Sequence, residues 1–154
     1  YQIDTFHSLN DLTSSLGLYL RAVTGLSDDV RISERLYMPS SKLRGFQRGK
    51  VGPIDNTDYV GGNYVTALNF STNLPGFFPT VENIDFSYFI DLANVWGVDY
   101  DDTIDDSNFL RSSTGIGMDL LTPIGPFSFS LTQPITKKSS DKTETFRFNL
   151  GTTF

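Results

Sequence analysis

The C-terminal end of the chain alternates strictly between apolar and polar residues. Successive side chains of a strand point to opposite faces, so one face of residues 145–154 carries Phe146, Phe148, Leu150 and Phe154. The other face carries Arg147, Asn149, Gly151 and Thr153. This pattern predicts a strand with one apolar and one polar face. Such strands occur in soluble sandwiches and also between lipid and a watery lumen.

The same alternation recurs along the chain and predicts an all-β protein. Seven segments show it: residues 1–7, 12–22, 64–71, 84–93, 110–120, 127–131 and 145–154. In residues 30–38, the apolar residues Val30, Ile32, Leu36 and Met38 are in phase, and we expect an eighth strand there. Several segments run for ten residues or more, which is longer than a usual globular strand and sufficient to cross a hydrocarbon layer at a tilt. The pattern indicates an antiparallel sheet of about seven or eight meandering strands.

The polar face of these strands favours a transmembrane β-barrel over a soluble sandwich. Behind the apolar face of residues 110–120 lie two charges and two glycines, namely Arg111, Asp119, Gly115 and Gly117. The core of a sandwich tolerates neither the charges nor the glycines well, because an unpaired buried charge is costly and glycine has no side chain to pack. The hydrophobic share of 38% and the aromatic share of 14% fit a barrel with a polar lumen and aromatic interfaces. No run of about eighteen apolar residues predicts a membrane helix.

Charge and composition narrow the classes of function. The net charge of -6 argues against a nucleic-acid partner, and the lack of cysteine excludes disulfides and thiolate metal sites. The single histidine, His7, has no convergent acid or nucleophile, so neither an enzyme nor a cofactor is indicated. An aspartate-rich segment lacks the glycine and glutamate of an EF-hand. We favour a solvated outer loop whose aspartates make turns, with ion binding as the alternative, at Asp99, Asp101, Asp102, Asp105 and Asp106.

The longest connection, residues 27–60, carries the most specific motif. Connections of this length are unusual in a compact all-β chain and are often functional. The chain resembles the BamA family of outer-membrane assembly proteins, the Omp-eighty-five superfamily, whose hallmark is an Arg-Gly-Phe motif on a long loop folded back into the barrel. The motifs that carry the resemblance, in the family's order, are Leu43-Arg44-Gly45-Phe46, residues 89–96, residues 122–126 with 133–134, and the closing residues 148–154.

The resemblance implies that residues 1–154 are the C-terminal part of a transmembrane β-barrel domain, integral to a bacterial outer membrane. Family members carry periplasmic POTRA domains ahead of a sixteen-stranded barrel, and the long loop is the sixth outer one. On this view the chain supplies about the last seven strands and the inward-folded loop of residues 27–60. The POTRA domains and the first barrel strands would lie outside it.

The resemblance also assigns roles to individual residues. An arginine in a barrel lumen loses hydration and needs a carboxylate or carbonyls for its donors, and the family points to Asp91 as the partner of Arg44. Alternation independently places Asp91 on the lumen face. We expect Gly45 to allow a tight backbone at the loop tip and Phe46 to pack against the inner wall. Arg44 either braces the barrel or takes a direct part in substrate insertion.

Two positions depart from the family's pattern. Close relatives have a glutamate where Asn69 stands and a glycine where Ala93 stands. The lost acid removes the partner for a second salt bridge but leaves Asp91 available.

The implied function is assembly and insertion of outer-membrane β-barrel proteins, a non-covalent catalysis of folding through a lateral gate between the first and last strands. The last strand would form one side of the gate and also serve as a C-terminal recognition signal, through Phe146, Phe148, Leu150, Gly151 and Phe154. Gly151 is consistent with a strand that pairs loosely. The implied partners are the lipid bilayer, unfolded outer-membrane proteins and accessory lipoproteins. The alternatives are a two-partner secretion pore of the same superfamily, a generic barrel or a soluble β module.

Overall fold

A computed structural model describes residues 1–9, 11–26, 28–75, 83–123 and 125–151. These ranges contain one short 3-10 helix, Ile32–Glu34, and nine strands. The strands are β1 (Gln2–Leu9), β2 (Leu12–Ala22), β3 (Ile54–Asp55), β4 (Asp58–Tyr59), β5 (Tyr64–Asn73), β6 (Ile84–Trp96), β7 (Arg111–Thr122), β8 (Gly125–Thr136) and β9 (Phe146–Leu150). No helix in the described ranges is long and apolar enough to cross a membrane.

Seven of the strands form one open antiparallel sheet in the order β1-β2-β5-β6-β7-β8-β9. The predicted all-β class, the seven strands and their meandering order are therefore confirmed. Strands β3 and β4 form a separate hairpin within the long loop, which the alternation did not predict. The turn of this hairpin contains Asn56 at a φ of 55°, a conformation that asparagine tolerates better than most residues.

The outer face of the sheet is apolar and exposed. Neighbouring strands align their apolar residues, so that Leu16, Phe70 and Ile90 form one row across β2, β5 and β6. Other exposed residues of this face are Leu20, Leu68, Tyr88, Ile116, Leu131, Phe146 and Phe148. A soluble sandwich would cover such a face with a second sheet. An apolar band of this kind is typical of the lipid-facing side of a barrel wall.

The long loop covers part of the inner face of the sheet and forms the hydrophobic core with it. The loop contributes Leu36, Met38, Leu43, Phe46 and Val51, and the inner faces of β5 and β6 contribute Val65, Ala67, Ala93 and Val95. The wall residues are small, which leaves room for the larger side chains of the loop. Full burial of one large apolar side chain contributes about 1.5–3 kcal/mol, so packing contributes substantially to holding the loop inside.

The eighth strand predicted at residues 30–38 is wrong. The backbone turns at Ile32–Glu34, where the Glu34 N–H donates to Arg31 O at 2.9 Å. Leu36 makes an isolated bridge with Gly62 instead of joining a ladder. Val30, Leu36 and Met38 are buried, whereas Ile32 is 58% exposed. Leu36 and Met38 belong to the core that the loop forms with the inner face, and the chain bends between Val30 and Leu36.

The last strand is shorter than the alternation predicted. Strand β9 pairs with residues 127–131 of β8 and ends at Leu150. Gly151 follows it at a φ of 84° and donates its N–H to Pro126 O at 2.8 Å. Positive φ interrupts an extended backbone. Within the described residues β9 therefore ends at Leu150, and Gly151 follows the strand. Phe154 lies outside the described residues.

Candidate functional site

Arg44 and Asp91 form a buried ion pair between the long loop and the inner face of β6. Arg44 Nε donates to Asp91 Oδ2 at 2.8 Å, and Nη2 donates to Oδ1 at 2.7 Å. The Arg44 backbone N–H adds a third bond, to Oδ2 at 3.0 Å. Asp91 is 0% exposed and Arg44 is 8% exposed. The structure therefore brings together the two residues that the sequence analysis paired, in the bidentate geometry that arginine favours.

Two further side chains complete the surroundings of this pair. Asn69 Nδ2 donates to Asp91 Oδ1 at 2.8 Å and to Lys42 O at 2.8 Å. At the position where the resemblance expects a glutamate, the amide thus bridges the carboxylate and the main chain of the loop. The guanidinium carbon of Arg44 lies 3.6 Å from the centroid of the Phe89 ring, within the range of a cation–π contact. The carboxylate accepts four hydrogen bonds from protein donors.

Gly45 occupies a position that no residue with a side chain fits. Its φ is 86°, which is strained for residues with a Cβ. A Cβ there would lie 2.4 Å from Thr132 Cγ2 on β8. The preceding carbonyl, Arg44 O, accepts a hydrogen bond from Ser113 Oγ on β7 at 2.6 Å. The loop tip therefore contacts three adjacent strands within two residues.

Phe46 is buried in the core and begins a short ladder with the β8–β9 connection. Its exposed fraction is 2%, and it forms a bridge with Thr143. Backbone bonds continue the pairing of residues 45–50 with residues 142–144, and their lengths are 2.9–3.2 Å: Glu144 N to Gly45 O, Gln47 N to Lys142 O, and Lys142 N to Lys50 O. Residues 142–144 of the β8–β9 connection thus anchor the long loop.

A second buried ion pair, Arg111 with Asp141, was missed by the sequence analysis. Arg111 is 1% exposed, and its Nε donates to both carboxylate oxygens of Asp141 at 2.8 and 3.0 Å. Its Nη1 donates to Asn94 Oδ1 at 2.8 Å. Asp141 also accepts the Lys138 N–H at 2.7 Å. The alternation placed Arg111 on the inner face, but its partner lies in a connection with no periodic pattern.

Asp99 ties the beginning of the long loop to the aspartate-rich segment. It accepts the Val30 N–H at 3.0 Å and Asn63 Nδ2 at 2.9 Å, and it pairs with the buried Arg35. The backbone hydrogen bond from Val30, together with the Asn63 and Arg35 side chains, lowers the pKa of Asp99 to about 2. The carboxylate is therefore charged at neutral pH and able to hold all three donors.

Other aspartates of this segment make the turns that were predicted. Asp101 Oδ1 accepts the Thr103 N–H at 2.8 Å, and Asp105 Oδ1 accepts the Ser107 N–H at 3.1 Å. Across the described part of the chain, no three or more His, Cys, Asp or Glu residues are grouped so as to hold a metal ion.

The apolar residues of β9 continue the outer face of the sheet. Phe146, Phe148 and Leu150 are each 45–59% exposed. The Phe148 ring centroid lies 5.1 Å from that of Phe129 on β8, a separation at which aromatic rings attract each other. Arg147 and Asn149 point to the opposite, inner face.

Comparisons with known proteins fit this architecture. The model of the Omp85 superfamily domain matches residues 1–154. The chain is 26% identical over 155 residues to the outer membrane protein assembly factor BamA of Neorickettsia risticii, covering 97% of the chain and 21% of that protein. It is 31% identical over 141 residues to BamA of Neisseria meningitidis serogroup B, covering 73% of the chain and 17% of that protein.

A solved structure shows the same fold. The crystal structure of BamA from Haemophilus ducreyi lacking POTRA domains 1–3 matches with a TM-score of 0.83 and 26% sequence identity. The match covers 96% of this chain and 33% of that one. The chain thus spans about a fifth of the length of the curated relatives it matches.

Proposed function

The chain belongs to the Omp85 superfamily, and on this premise we propose that it is the C-terminal part of a factor that assembles β-barrel proteins into the outer membrane. The protein is integral to the outer membrane. The relatives described above are outer membrane protein assembly factors. In this proposal residues 1–154 supply the last strands of the barrel and the inward-folded loop, and POTRA domains precede them in the full-length protein.

The proposal rests mainly on one observation, namely that the long loop is bound to the inner face of the sheet. A passive pore needs an open lumen, whereas this loop covers part of the inner face with packed side chains and is fixed by the Arg44–Asp91 pair. Burying both charges is costly unless the geometry is well matched. Because the fold keeps this buried ion pair, we assign the loop a role in fixing the conformation of the barrel wall and not in the passage of solutes.

The proposed mechanism uses backbone pairing and involves no covalent step. A strand that enters lipid must satisfy every backbone N–H and C=O group, and an existing strand edge can offer those partners by β-augmentation. We assign this role to β9 as one side of a lateral gate. Among the described residues its ladder with β8 covers five residue pairs, whereas β8 itself is twelve residues long, so β9 pairs with less than half of its neighbour. Unfolded outer-membrane proteins and the lipid bilayer are the partners of this step, and accessory lipoproteins remain an expectation from the resemblance.

Disulfide trapping tests the proposal. Residues 1–154 contain no cysteine, so Asn149→Cys introduces one thiol there, on the inner face of β9, and the full-length protein is prepared without cysteines elsewhere. A substrate barrel protein stalled during assembly would carry single cysteines along its own edge strands. We expect a disulfide at one register with the substrate, because two paired strands bring opposed Cβ atoms within about 4.5–5.5 Å.

The matched control is Ser87→Cys, on the inner face of the central strand β6. Both edges of β6 are occupied by β5 and β7, so no disulfide to the substrate is expected there. Equal trapping at both positions, or none at β9 while the variant still assembles substrates, would refute the proposed gate.

A further inference from the structure

Arg147 connects the last strand to the long loop. It lies on the inner face of β9, opposite Ser130 of β8. Its Nη1 donates to Ser40 O at 2.7 Å and its Nη2 donates to Phe46 O at 2.7 Å. Its Nε donates to Glu144, three residues earlier, which orients the guanidinium. The side chain is 12% exposed, so these bonds form largely away from solvent.

The two carbonyls bracket the Arg-Gly-Phe motif. Ser40 precedes the motif and Phe46 is its last residue, so the planar fork of Arg147 holds both ends of the segment that carries Arg44. The same segment is fixed to β6 by Asp91 on its other side. The loop tip is therefore bound on one side by Asp91 of β6 and on the other side by Arg147 of β9.

We propose that Arg147 is a positioning residue that couples the long loop to β9, so that release of the loop from Asp91 loosens the last strand. Charge-assisted hydrogen bonds are about twice as strong as neutral ones, and β9 is held to β8 through five residue pairs. Two such bonds are thus a substantial part of what fixes this strand. The use of the coupling in assembly rests on the proposed function, but the coupling itself does not.

Hydrogen exchange of the full-length protein in detergent micelles tests the coupling without any assembly assay. We expect Asp91→Asn to speed exchange of the β9 amides, although residue 91 lies on β6. We expect Arg147→Gln to speed exchange of residues 146–150 by roughly tenfold, because bonds from a charged donor are stronger than neutral ones and hold this strand locally. In the double variant, Asp91→Asn should no longer change exchange in β9.

Two further variants keep the result interpretable. Arg147→Lys retains the charge, but a point-like ammonium cannot span two carbonyls as the planar fork does, so exchange between that of wild type and Arg147→Gln is expected. Asn149→Gln changes the same face of β9 and should leave the exchange of residues 40–46 unchanged. Heat-modifiable migration on gels establishes that each variant is folded. Unchanged β9 exchange in Arg147→Gln, or an effect of Asp91→Asn that persists in the double variant, would overturn the coupling.

Discussion

Replacing Asp91 with asparagine is expected to lower the free energy of unfolding of the barrel by about 3–5 kcal/mol, the usual cost of removing one partner of a buried ion pair. Each oxygen of the Asp91 carboxylate accepts two hydrogen bonds: Oδ2 from Arg44 N and Nε, and Oδ1 from Arg44 Nη2 and Asn69 Nδ2. In either orientation of the new amide, its NH₂ group therefore faces two donors. The guanidinium of Arg44 stays buried without its counter-charge.

The measurement is the urea midpoint of the full-length protein in detergent micelles, followed by gel migration. Asp85→Asn is the matched control, since Asp85 lies on the same face of β6 but is exposed. A surface substitution of this kind changes stability by about 0.5 kcal/mol or less. If Asp91→Asn unfolded at the same urea concentration as wild type, the ion pair would not be a stabilising clamp.

Replacing Arg111 with methionine is expected to destabilise the barrel by a similar amount, about 3–5 kcal/mol. The substitution leaves Asp141 buried with a single neutral donor, the Lys138 N–H. Adding Asp141→Asn removes the stranded charge and keeps an oxygen for Lys138. The double variant should therefore be more stable than Arg111→Met alone.

A double-mutant cycle measures this recovery, again from urea midpoints in micelles. We expect a coupling of about 1–3 kcal/mol between the two positions, as for residues within one hydrogen-bonded network. Additive effects of the two substitutions would show that Arg111 and Asp141 do not stabilise each other. In contrast to the Arg44–Asp91 pair, we assign this pair a purely structural role.

The strands could be predicted because the alternation of apolar and polar residues that marks each strand lies within one short segment of the sequence. Alternation fixes which side chains share a face, and short connections fix which strands are neighbours. This sufficed to place Asp91 on the inner face and Phe148 on the outer face. It also indicated that the lumen side accepts charge and glycine. The extents of β6 and β8 were underestimated, because Asn94 and Gln133 place a polar residue at an apolar position of the alternation without interrupting the strand.

The long loop was less predictable because its contacts are remote in sequence. Val30, Leu36 and Met38 have the spacing of a strand, yet the backbone between them turns, and Leu36 and Met38 are buried against β5 and β6. Arg111 and Asp141 lie thirty positions apart, and neither belongs to a recognisable motif. Arg147 could be placed on the inner face by alternation, but its acceptors are backbone carbonyls about a hundred residues away. Every residue has a backbone carbonyl, so the residue types do not show which carbonyl accepts the hydrogen bond.

In the proposed function, the loop held by Arg44 is required for assembling other barrel proteins. This requirement is tested most directly by placing Arg44→Ala in the full-length protein in cells and measuring the folded amounts of several unrelated outer-membrane barrel proteins. Arg48→Ala, an exposed arginine of the same loop, is the matched control. We expect a general loss for Arg44→Ala, with the variant itself still present in the membrane, and no loss for Arg48→Ala. Unchanged levels of the other barrel proteins in the Arg44→Ala strain would contradict the claim and leave Arg44 with a bracing role alone.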